Sequence, residues 1–495
     1  MNPFRALNQH YIGGVWREGS SSKRWTDRNP YSGEPVAEFT IAGKSDIDAA
    51  YLAAQRAQKE WEAVNPFEKR DILESAVAYI SDHEADITDI IMDELGGTRL
   101  KAFFEISLVK NILREAATFP LRMVGRIYPS TVEGKENRLY RVPAGVVSVI
   151  SPFNFPFFLT MRSVAPALGA GNGVVLKAHE ETAITGGTLV AKIFENTKIP
   201  KGLLNVVLFD LGEVGDYFIE HPIPRIISFT GSAAVGKHIG GVAGRHLKKA
   251  ILELGGNSAM IVLPDADLEL AINAAIFSRF THQGQICMSA NRVLVHRSMY
   301  QRFLHGYVER VSKLKVGDPR DPETAIGPLI NQRQVKALAR MIEKGVAEGA
   351  EPVLRGKVEG NCIGPTVFAG VKPGMEIAKE EMFGPAVCVM PFDSTEEAIA
   401  MANDSEYGLS GAIHTKDVEL GAELAKRIDS GMVHVNDGTI NDEPLIAFGG
   451  EKDSGVGRLN GKWALEEFTT LKWVSVQHKP RQYPFDQLFA AGPKA

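Results

Sequence analysis

The feature that most constrains the fold is a series of short apolar runs rich in β-branched residues. Four such runs lie between residues 145 and 231, and helical segments that begin near Phe157, Glu181 and Glu213 separate them. Apolar strands that alternate with helices are typical of a parallel sheet covered on both faces. We therefore predict a doubly wound nucleotide-binding unit, in which ligands bind beyond the carboxyl ends of the strands. The runs are "GVVSVI" (145–150), "GVVLKA" (173–178), "LLNVVLF" (203–209) and "RIISFTG" (225–231).

A second series of strand and helix patterns begins after "ILELGGNSAMIVL" (251–263) and ends near "GMVHVND" (431–437). The chain is thus predicted to contain two α/β domains, with helical stretches before the first, the earliest having Ser45 as its N-cap. The polar stretch 128–142 predicts a protruding hairpin, and the tail "LKWVSVQHK" (471–479) predicts one more strand. Both are candidate subunit contacts, although such features are more often ordinary edge structure.

Composition excludes several classes of function. The chain has 495 residues, 44% of them hydrophobic and 23% charged, with a net charge of −5, so we expect no general attraction to nucleic acid or to acidic membranes. No secretory signal and no apolar stretch of about 18 residues is present, which predicts a soluble cytoplasmic protein. The three cysteines, Cys287, Cys362 and Cys388, have neither zinc-site nor disulfide spacing. No metal is predicted.

The stretch "FTGSAAVGK" (229–237) resembles a triphosphate-binding loop at first sight. Such a loop needs a hydroxyl after its lysine to ligate Mg²⁺, and His238 stands there instead. What remains is a strand, then Gly231 and Ser232, then a helix whose first N–H groups could hold a phosphate or pyrophosphate. Taken alone, the motif is more simply a strand-to-helix turn with Ser232 as N-cap.

Three polar residues stand where chemistry is possible. Cys287 lies in the glycine-containing polar loop "HQGQICMSANR" (282–292), and such a thiol can act as a nucleophile, whereas most isolated cysteines only pack. Glu253 ends a strand before two glycines, as either a solvated strand end or a general base whose pKa is raised by burial. Asn154 follows a strand and could donate to an oxyanion, although a lone Asn more often satisfies turn backbone.

Taken in order, these motifs resemble the aldehyde dehydrogenase superfamily. The resemblance runs from about Tyr11 to about Val476 and includes seven segments. It implies a Rossmann-like cofactor domain (1–122 and 144–254), an α/β catalytic domain (255–465) and a small β oligomerisation element formed by the hairpin 123–143 and the tail 466–495. It also implies a homodimer or homotetramer. The segments are "SPFNFPF", "VVLKAHEE", "FTGSAAVGK", "LELGGNS", "GQIC", "EEMFGP" and "AFGGEKDSGVGR".

The resemblance implies oxidation of an aldehyde to its carboxylic acid with NAD(P). Cys287 matches the nucleophile that forms a thiohemiacetal and then a thioester, and Asn154 with the backbone N–H of Cys287 matches the oxyanion site. Glu253 matches the base that activates the hydrolytic water, and its presence argues against transfer of the acyl group to coenzyme A. Leu459 stands where many members carry a second relay glutamate, which puts such a relay in doubt.

The cofactor residues implied by the resemblance follow the same motifs. Lys177 and Glu180 match positions that bind the adenine ribose, and a carboxylate at Glu180 favours NAD while leaving NADP open. Gly231 and Ser232 would hold the pyrophosphate, and Glu381 would contact the nicotinamide ribose with Phe383 packed beside it. The remaining predicted cofactor contacts are Ser151, Phe153 and Leu254.

The substrate is the least constrained part of the prediction. The motifs are similar to the branch that oxidises benzaldehyde, vanillin and salicylaldehyde, and the apolar residues Phe155, Phe158, Ile286 and Met288 are either tunnel lining or core. Arg162 is placed by the resemblance at a tunnel position, where it would recognise a phenolic oxygen or the carboxylate of a semialdehyde acid. The sequence also leaves open an aliphatic aldehyde as substrate, and it disfavours a triphosphatase or a catalytically silent homologue.

Overall fold

The structure is a computed structural model that describes residues 2–486 of the chain. The end of the predicted tail, residues 487–495, lies outside the described residues. Within residues 2–486, no helix is both long and apolar enough to span a bilayer. In the same range, no group of three or more His, Cys, Asp and Glu side chains is arranged to hold a metal ion.

The part of the chain up to residue 253 alternates helices with short strands. Its helices are α1 (Lys44–Ala63), α2 (Pro66–Asp82), α3 (Glu84–Leu95), α4 (Arg99–Arg122), α5 (Pro156–Gly169), α6 (Leu189–Glu195), α7 (Leu211–Val214), α8 (Tyr217–Glu220) and α9 (Ala233–Arg245). Its strands are β1 (His10–Ile12), β2 (Val15–Arg17), β3 (Arg24–Arg28), β4 (Pro35–Thr40), β5 (Arg126–Tyr128), β6 (Lys135–Pro143), β7 (Val146–Ile150), β8 (Gly173–Lys177), β9 (Leu204–Val207), β10 (Ile226–Thr230) and β11 (Lys249–Glu253).

The rest of the described chain repeats this alternation. Its helices are α10 (Leu268–Phe280), α11 (Arg297–Val311), α12 (Gln332–Ala347), α13 (Glu376–Lys379), α14 (Thr395–Asn403), α15 (Val418–Ala425) and α16 (Gly461–Glu467). Its strands are β12 (Ser258–Val262), β13 (Ala290–His296), β14 (Glu351–Leu354), β15 (Val358–Glu359), β16 (Cys362–Ile363), β17 (Thr366–Ala369), β18 (Ala386–Phe392), β19 (Tyr407–Gly408), β20 (Ser410–His414), β21 (Met432–Val435), β22 (Glu451–Lys452), β23 (Gly455–Val456) and β24 (Thr469–Gln477).

The first sheet has the strand order β2-β1-β9-β8-β7-β10-β11-β23. Its five central strands, β9 to β11 in that order, are parallel, whereas β1 and β23 join antiparallel at the two sides. The chain order reverses between β7 and β10, which makes the crevice beyond their carboxyl ends a topological switch point. The doubly wound unit predicted from the four apolar runs is confirmed, and Ser151 and Gly231 open the two loops at that crevice.

The second sheet has the order β14-β17-β18-β13-β12-β20-β21 and is parallel except for β14. Strand β12 begins at Ser258, directly after the short link from Glu253 at the end of β11. Glu253 therefore lies where the chain leaves the first sheet for the second. The carboxyl end of β11 lies beside the loop that carries Cys287, since Glu253 at that end contacts Cys287, and the same loop leads into β13 of the second sheet.

The chain returns to the first sheet near its end. Strand β23 pairs with β11, and Phe448, Leu459 and Leu465 are buried in the same apolar cluster as the helices of the first sheet. The predicted boundary of the catalytic domain at residue 465 stays a prediction. Sequence periodicity does not reveal that the chain returns to the first sheet.

A third sheet of three antiparallel strands, β24-β6-β5, confirms that residues 128–142 belong to a hairpin and that the tail adds a strand. Its faces carry several large apolar side chains that are exposed in the single chain: Ile127, Tyr128, Tyr140, Leu471 and Trp473.

Helix α1 begins at Lys44 and not after Ser45, so the predicted N-cap is wrong by two residues. Gly43 occupies the N-cap position with an extended backbone, and the carboxylate of Asp46 accepts from its N–H at 3.0 Å. Ser45 instead bonds Ser20 with its hydroxyl at 3.0 Å. A carboxylate at the third helical position that accepts from the N-cap N–H stabilises a helix start at that N-cap, which here is Gly43 and not Ser45.

Candidate active site

Cys287 is presented by a short, strained loop. The loop follows α10, and the backbone of His282 and Gln283 adopts left-handed φ values of 48° and 58°. Gly284 is also left-handed, and a Cβ there would lie 2.5 Å from the carbonyl oxygen of Gly384. Strained backbone of this kind is retained where a side chain must be aimed, and here it aims a half-buried thiol, whereas Cys362 and Cys388 are buried.

Glu253 lies within reach of this thiol. The Cys287 Sγ donates to Glu253 Oε1 across 3.6 Å. Burial raises the pKa of Cys287 well above its usual value, and the carboxylates of Glu253 and Glu381 raise it further. The thiol is therefore protonated at rest, and Glu253 is the group positioned to take its proton. Burial also raises the pKa of Glu253, while the guanidinium of Arg162 opposes that rise.

Arg162 has surroundings different from the predicted substrate tunnel. It lies on α5 with its side chain 0% exposed, and its Nη2 donates to Glu253 Oε2 at 2.9 Å. Its Nη1 donates to Asp442 Oδ2 at 2.8 Å. A buried guanidinium is stable only when its charge is paired, and these two carboxylates provide that pairing. The structure therefore does not support the prediction that Arg162 contacts the substrate.

Asn154 contacts the Cys287 loop directly. Its Nδ2 donates to the carbonyl of Gln285 at 2.9 Å, and the second hydrogen of that amide remains available to another acceptor. The start of α5, which follows Asn154, is held in place because Glu105 Oε1 accepts from the backbone N–H groups of Phe157 and Phe158 at 3.0 and 3.1 Å. Sequence reasoning missed Glu105, since nothing in α4 marks it as a cap for a helix some 50 residues later in the chain.

The four apolar residues predicted to line the substrate tunnel are all buried. Phe155, Phe158, Ile286 and Met288 belong to the large cluster against which Cys287 packs. They therefore lie in the core cluster that Cys287 contacts, which agrees with both alternatives, tunnel lining and core. Their contact with substrate stays a prediction.

The turn before α9 has the predicted strand-to-helix form. The Ser232 hydroxyl accepts from Val235 N at 3.4 Å, so Ser232 is the N-cap, and a Cβ at Gly231 would lie 2.3 Å from the ring of Phe229. His238 bonds Asp216 at 2.8 Å, and Lys237 pairs with Asp453. The lysine is thus already paired within the chain, and a triphosphatase activity gains no support.

Lys177 and Glu180 face the same edge of the first sheet. The Lys177 Nζ lies 3.2 Å from Glu180 Oε2. Burial alone would raise the pKa of Glu180, but Lys177 and His179 lower it to about 2. The side chain of Glu180 is 38% exposed, so an ionised carboxylate is accessible at this edge.

The other predicted cofactor residues divide into two groups. Phe153 and Phe383 pack edge to face with ring centroids 5.7 Å apart, and Glu381 Oε1 accepts from Gly256 N at 3.0 Å. Burial raises the pKa of Glu381 to about 7. The side chains of the second group are turned inward. Ser151 is buried and accepts from Thr160 Oγ1, and Leu254 packs against α9, where a Cβ at Gly236 would lie 2.3 Å from it.

These residues fit a dinucleotide. The start of α9, the accessible carboxylate of Glu180 and the ring of Phe153 follow strands of the first sheet, and Phe383 and the buried carboxylate of Glu381 come from the loop after α13, where Phe383 packs on Phe153. Such a set offers donors to a pyrophosphate and acceptors to ribose hydroxyls.

Two polar residues at the site escaped the sequence analysis. Asp442 lies in the polar stretch after β21, which has no motif of its own, and Arg279 lies in the last turn of α10, where a basic residue is ordinary. The Arg279 guanidinium is fully buried and donates to Asn291 Oδ1 and to the carbonyls of Met382 and Gly384. It thereby joins the Cys287 loop to the loop of Glu381 and Phe383.

Comparison with known proteins agrees with this geometry. Residues 16–474 match the model of the aldehyde dehydrogenase family. The chain is 64% identical over 485 residues to a benzaldehyde dehydrogenase of Bacillus subtilis, covering 98% of this chain and 100% of that protein. It is 47% identical to a vanillin dehydrogenase of Corynebacterium glutamicum, covering 95% and 97% of the two chains.

Solved structures give the same result. An NAD-dependent benzaldehyde dehydrogenase from Corynebacterium glutamicum superimposes with a TM-score of 0.89 at 44% identity, over 97% of this chain and 98% of the other. A salicylaldehyde dehydrogenase from Pseudomonas putida G7, solved with salicylaldehyde, has a TM-score of 0.94 at 33% identity over 96% and 99%. The predicted fold is confirmed, and the chain belongs to the aldehyde dehydrogenase family.

Proposed function

We propose that this protein oxidises aromatic aldehydes of the benzaldehyde and vanillin type to their carboxylic acids with NAD. The observation that carries this proposal is the pair formed by the Cys287 thiol and the Glu253 carboxylate, 3.6 Å apart, at the carboxyl edge of a dinucleotide-binding sheet. Relatives named benzaldehyde and vanillin dehydrogenases support the substrate class.

The first step uses the thiol and its neighbours. Glu253 takes the proton of Cys287 as the sulfur adds to the aldehyde carbon, and the carbonyl oxygen becomes an oxyanion. The free N–H of Asn154 and the backbone N–H of Cys287 then donate to that oxyanion. In other enzymes one such donor contributes about 2.7–4 kcal/mol to the transition state.

Bound NAD supplies the acceptor for the hydride that leaves the substrate carbon. Ser232 and the start of α9 would hold its pyrophosphate, Lys177 and Glu180 its adenine ribose, and Glu381 its nicotinamide ribose. The ionised carboxylate of Glu180 accepts from a free 2′-hydroxyl and repels a 2′-phosphate, which favours NAD over NADP.

Glu253 acts again when the thioester is hydrolysed, after the proton that it took from Cys287 has passed to solvent. It takes a proton from a water molecule, the water oxygen bonds to the acyl carbon, and the carbon–sulfur bond breaks. The sulfur leaves as a thiolate and regains a proton, so the enzyme returns to its resting state and the free acid is released.

The substrate is proposed to be uncharged. The Arg162 guanidinium is occupied by Glu253 and Asp442, so one positive charge faces two carboxyl groups. An anionic aldehyde would find this cation already paired and would meet repulsion. This argues against a semialdehyde acid as substrate, whose carboxylate Arg162 would have to bind.

The third sheet is proposed to join subunits into a homodimer or homotetramer. Its exposed apolar side chains, such as Ile127, Leu471 and Trp473, form a surface of the kind that subunits bury, and β24 lies at the edge of the sheet. A Trp473→Asp variant should lower the molar mass measured by light scattering. A cytoplasmic location stays a prediction from the sequence.

The test is NAD reduction with benzaldehyde, vanillin, hexanal and succinic semialdehyde. We expect fast reduction with the two aromatic aldehydes and loss of at least ~10³-fold in Cys287→Ala, since the thiohemiacetal cannot form without this thiol. Cys362→Ala is the matched control, because it removes a buried thiol that has no contact with Glu253 and should leave turnover unchanged. Turnover of succinic semialdehyde alone would overturn the substrate class, and an active Cys287→Ala would overturn the mechanism.

A further inference from the structure

Arg162 and Asp442 form a buried network with the catalytic base. Arg162 Nη2 donates to Glu253 Oε2 at 2.9 Å and Nη1 donates to Asp442 Oδ2 at 2.8 Å. Asp442 Oδ1 in turn accepts from Asn460 Nδ2 at 2.7 Å. We propose that Arg162 is a positioning residue that keeps the Glu253 carboxylate ionised and turned towards Cys287, and that Asp442 limits the strength of this effect by sharing the same guanidinium.

The geometry assigns different work to the two oxygens of Glu253. Oε2 is held by Arg162, whereas Oε1 is the oxygen that faces the thiol at 3.6 Å. A carboxylate held at one oxygen cannot rotate away, so its other oxygen stays directed at the reacting sulfur. Because Arg162 holds Oε2, Oε1 is the oxygen that takes the proton.

Arg162 is itself rigid. Its side chain is fully buried, and its guanidinium lies over the Phe448 ring with 4.1 Å between the guanidinium carbon and the ring centroid. The ring of Phe158 also lies near it, at 5.5 Å. Packing against aromatic faces fixes the plane of the guanidinium and thus the direction of both N–H···O bonds.

The charges that face Glu253 come from four elements. Arg162 on α5 favours the ionised form, whereas Asp442 in the loop after β21 and Glu381 in the loop after α13 oppose it. Cys287 donates to the carboxylate from the catalytic loop. Arg162 is thus the one cation among these groups, and its single side chain serves two carboxylates that compete for it.

The proposed network predicts opposite effects for two substitutions. The rate of thioester hydrolysis falls at low pH as Glu253 is protonated, and this part of the pH–rate profile is called the acid limb. Without the guanidinium, the acid limb should move to higher pH, because a buried carboxylate that loses its cation gains a proton more readily. With Asp442 neutralised, the limb should move to lower pH, because Arg162 then serves Glu253 alone. A role limited to folding would move neither limb.

The experiment needs no cofactor. The full-length protein is mixed with p-nitrophenyl benzoate, which acylates the thiol and releases nitrophenol in a burst, followed by a slower steady rate set by deacylation. The product is followed at a wavelength where nitrophenol and nitrophenolate absorb equally, from pH 5 to pH 9. The variants are Arg162→Met, Arg162→Lys and Asp442→Asn.

For Arg162→Met we expect a retained burst, slower deacylation at neutral pH, and an acid limb shifted up by ~1 pH unit or more. For Asp442→Asn we expect a downward shift, and for Arg162→Lys an intermediate position, because a lysine keeps the charge but cannot bridge both carboxylates. Coincident acid limbs in all four proteins would overturn the proposal.

The inference rests on the proposed function, and the two fail in distinguishable ways. If the wild-type protein shows no burst, or Cys287→Ala shows one, the proposed thiol chemistry is wrong. If the burst depends on Cys287 but the acid limb lies at the same pH in the Arg162 variants as in the wild type, only the positioning role is wrong. Should Arg162→Met not fold, the shift of Asp442→Asn decides, since an upward or absent shift contradicts the shared guanidinium.

Discussion

Two fully buried arginines belong to the candidate site, and they have different partners. Arg162 bridges two carboxylates, Glu253 and Asp442, and so compensates charge. Arg279 donates to two backbone carbonyls and one amide oxygen, and so joins two loops. Burial lowers the pKa of Arg279 to about 10, which shows how little nearby charge offsets its desolvation. Arg162 thus affects the acidity of the carboxyl groups that it pairs with, whereas Arg279 holds two loops in a fixed arrangement.

The two glutamates beside them differ in the same way. Glu253 is bonded directly to Arg162, and the guanidinium opposes the effect of burial on its pKa. Glu381 has the N–H of Gly256 as its partner, and burial raises its pKa to about 7. A base that must be ionised is thus paired with a cation, while a carboxylate proposed to bind a ribose is not.

The largest expected effect comes from Glu253→Gln. General-base catalysis contributes ~10²–10⁴-fold, so thioester hydrolysis should slow by that factor. In a rapid-mixing experiment with NAD and benzaldehyde, the variant should form NADH for one turnover and then stop if another group can remove the proton of the Cys287 thiol. It should form no NADH if only Glu253 can remove that proton. A Glu381→Gln control should keep multiple turnovers. Equal rates of thioester hydrolysis in both variants would contradict the proposal that Glu253, and not Glu381, is the base.

Arg279→Met should cost about 3 kcal/mol or more of the free energy of unfolding, because it removes three buried hydrogen bonds to a charged donor and leaves Asn291 Oδ1 without a partner, whereas the carbonyls of Met382 and Gly384 each keep one backbone N–H. The loss should be present at pH 5 and change little by pH 8, as measured by urea unfolding. Arg297→Met, which removes an exposed ion pair with Asp393, is the matched control and should change stability little. A marginal loss for Arg279→Met would show that the two loops hold together without it.

Arg162→Met should instead destabilise the protein in a pH-dependent manner. Its removal raises the pKa of Glu253 in the folded state further above that of the unfolded chain. A carboxyl group with a raised pKa stabilises the fold below its unfolded pKa, and this contribution is lost as pH rises through the folded pKa. The variant should therefore lose up to about 1.4 kcal/mol of unfolding free energy per pH unit for one proton between pH 5 and pH 8. The same slope in the wild type would contradict this.

The smallest effect is expected for NAD affinity in Glu381→Gln. With a pKa of about 7, Glu381 is ionised at pH 8 and largely protonated at pH 6, and the ionised form is the better acceptor for a ribose hydroxyl. Wild-type affinity should therefore fall as pH drops, whereas the variant should bind about tenfold more weakly at pH 8 and show no such pH dependence. Calorimetric titration at both pH values measures this, and parallel pH profiles would contradict it.

Much of the site was predictable because each motif directly follows a strand. Glu253, Asn154 and Gly231 all come at the carboxyl ends of apolar runs, and parallel strands bring those ends to one edge. The distance between Cys287 and Glu253 was not predictable in this way, since the two residues belong to different sheets. The start of α1 was misplaced because the carboxylate of Asp46 bonds back to the N–H of Gly43, which makes Gly43 the N-cap, two residues before Ser45.

Arg162 shows the limit of reasoning from the chain. Its position on α5 allowed a substrate contact, and its surroundings are set by residues about 90 and 280 positions away. Nothing in the stretch around Asp442 marks it as a partner for a buried cation.

The sequence by itself determined the two alternating α/β series, the hairpin and the tail strand, and it pointed to Cys287 and Glu253 as the proposed nucleophile and base, because local periodicity and ordered motifs carry that information. The tertiary structure decided which charges meet. One buried cluster contains Arg162, Glu253 and Asp442. Each of its carboxylates must pair with the guanidinium, since an unpaired charge in the interior costs several kcal/mol. That requirement acts between distant segments, and so it becomes visible only when the chain is folded.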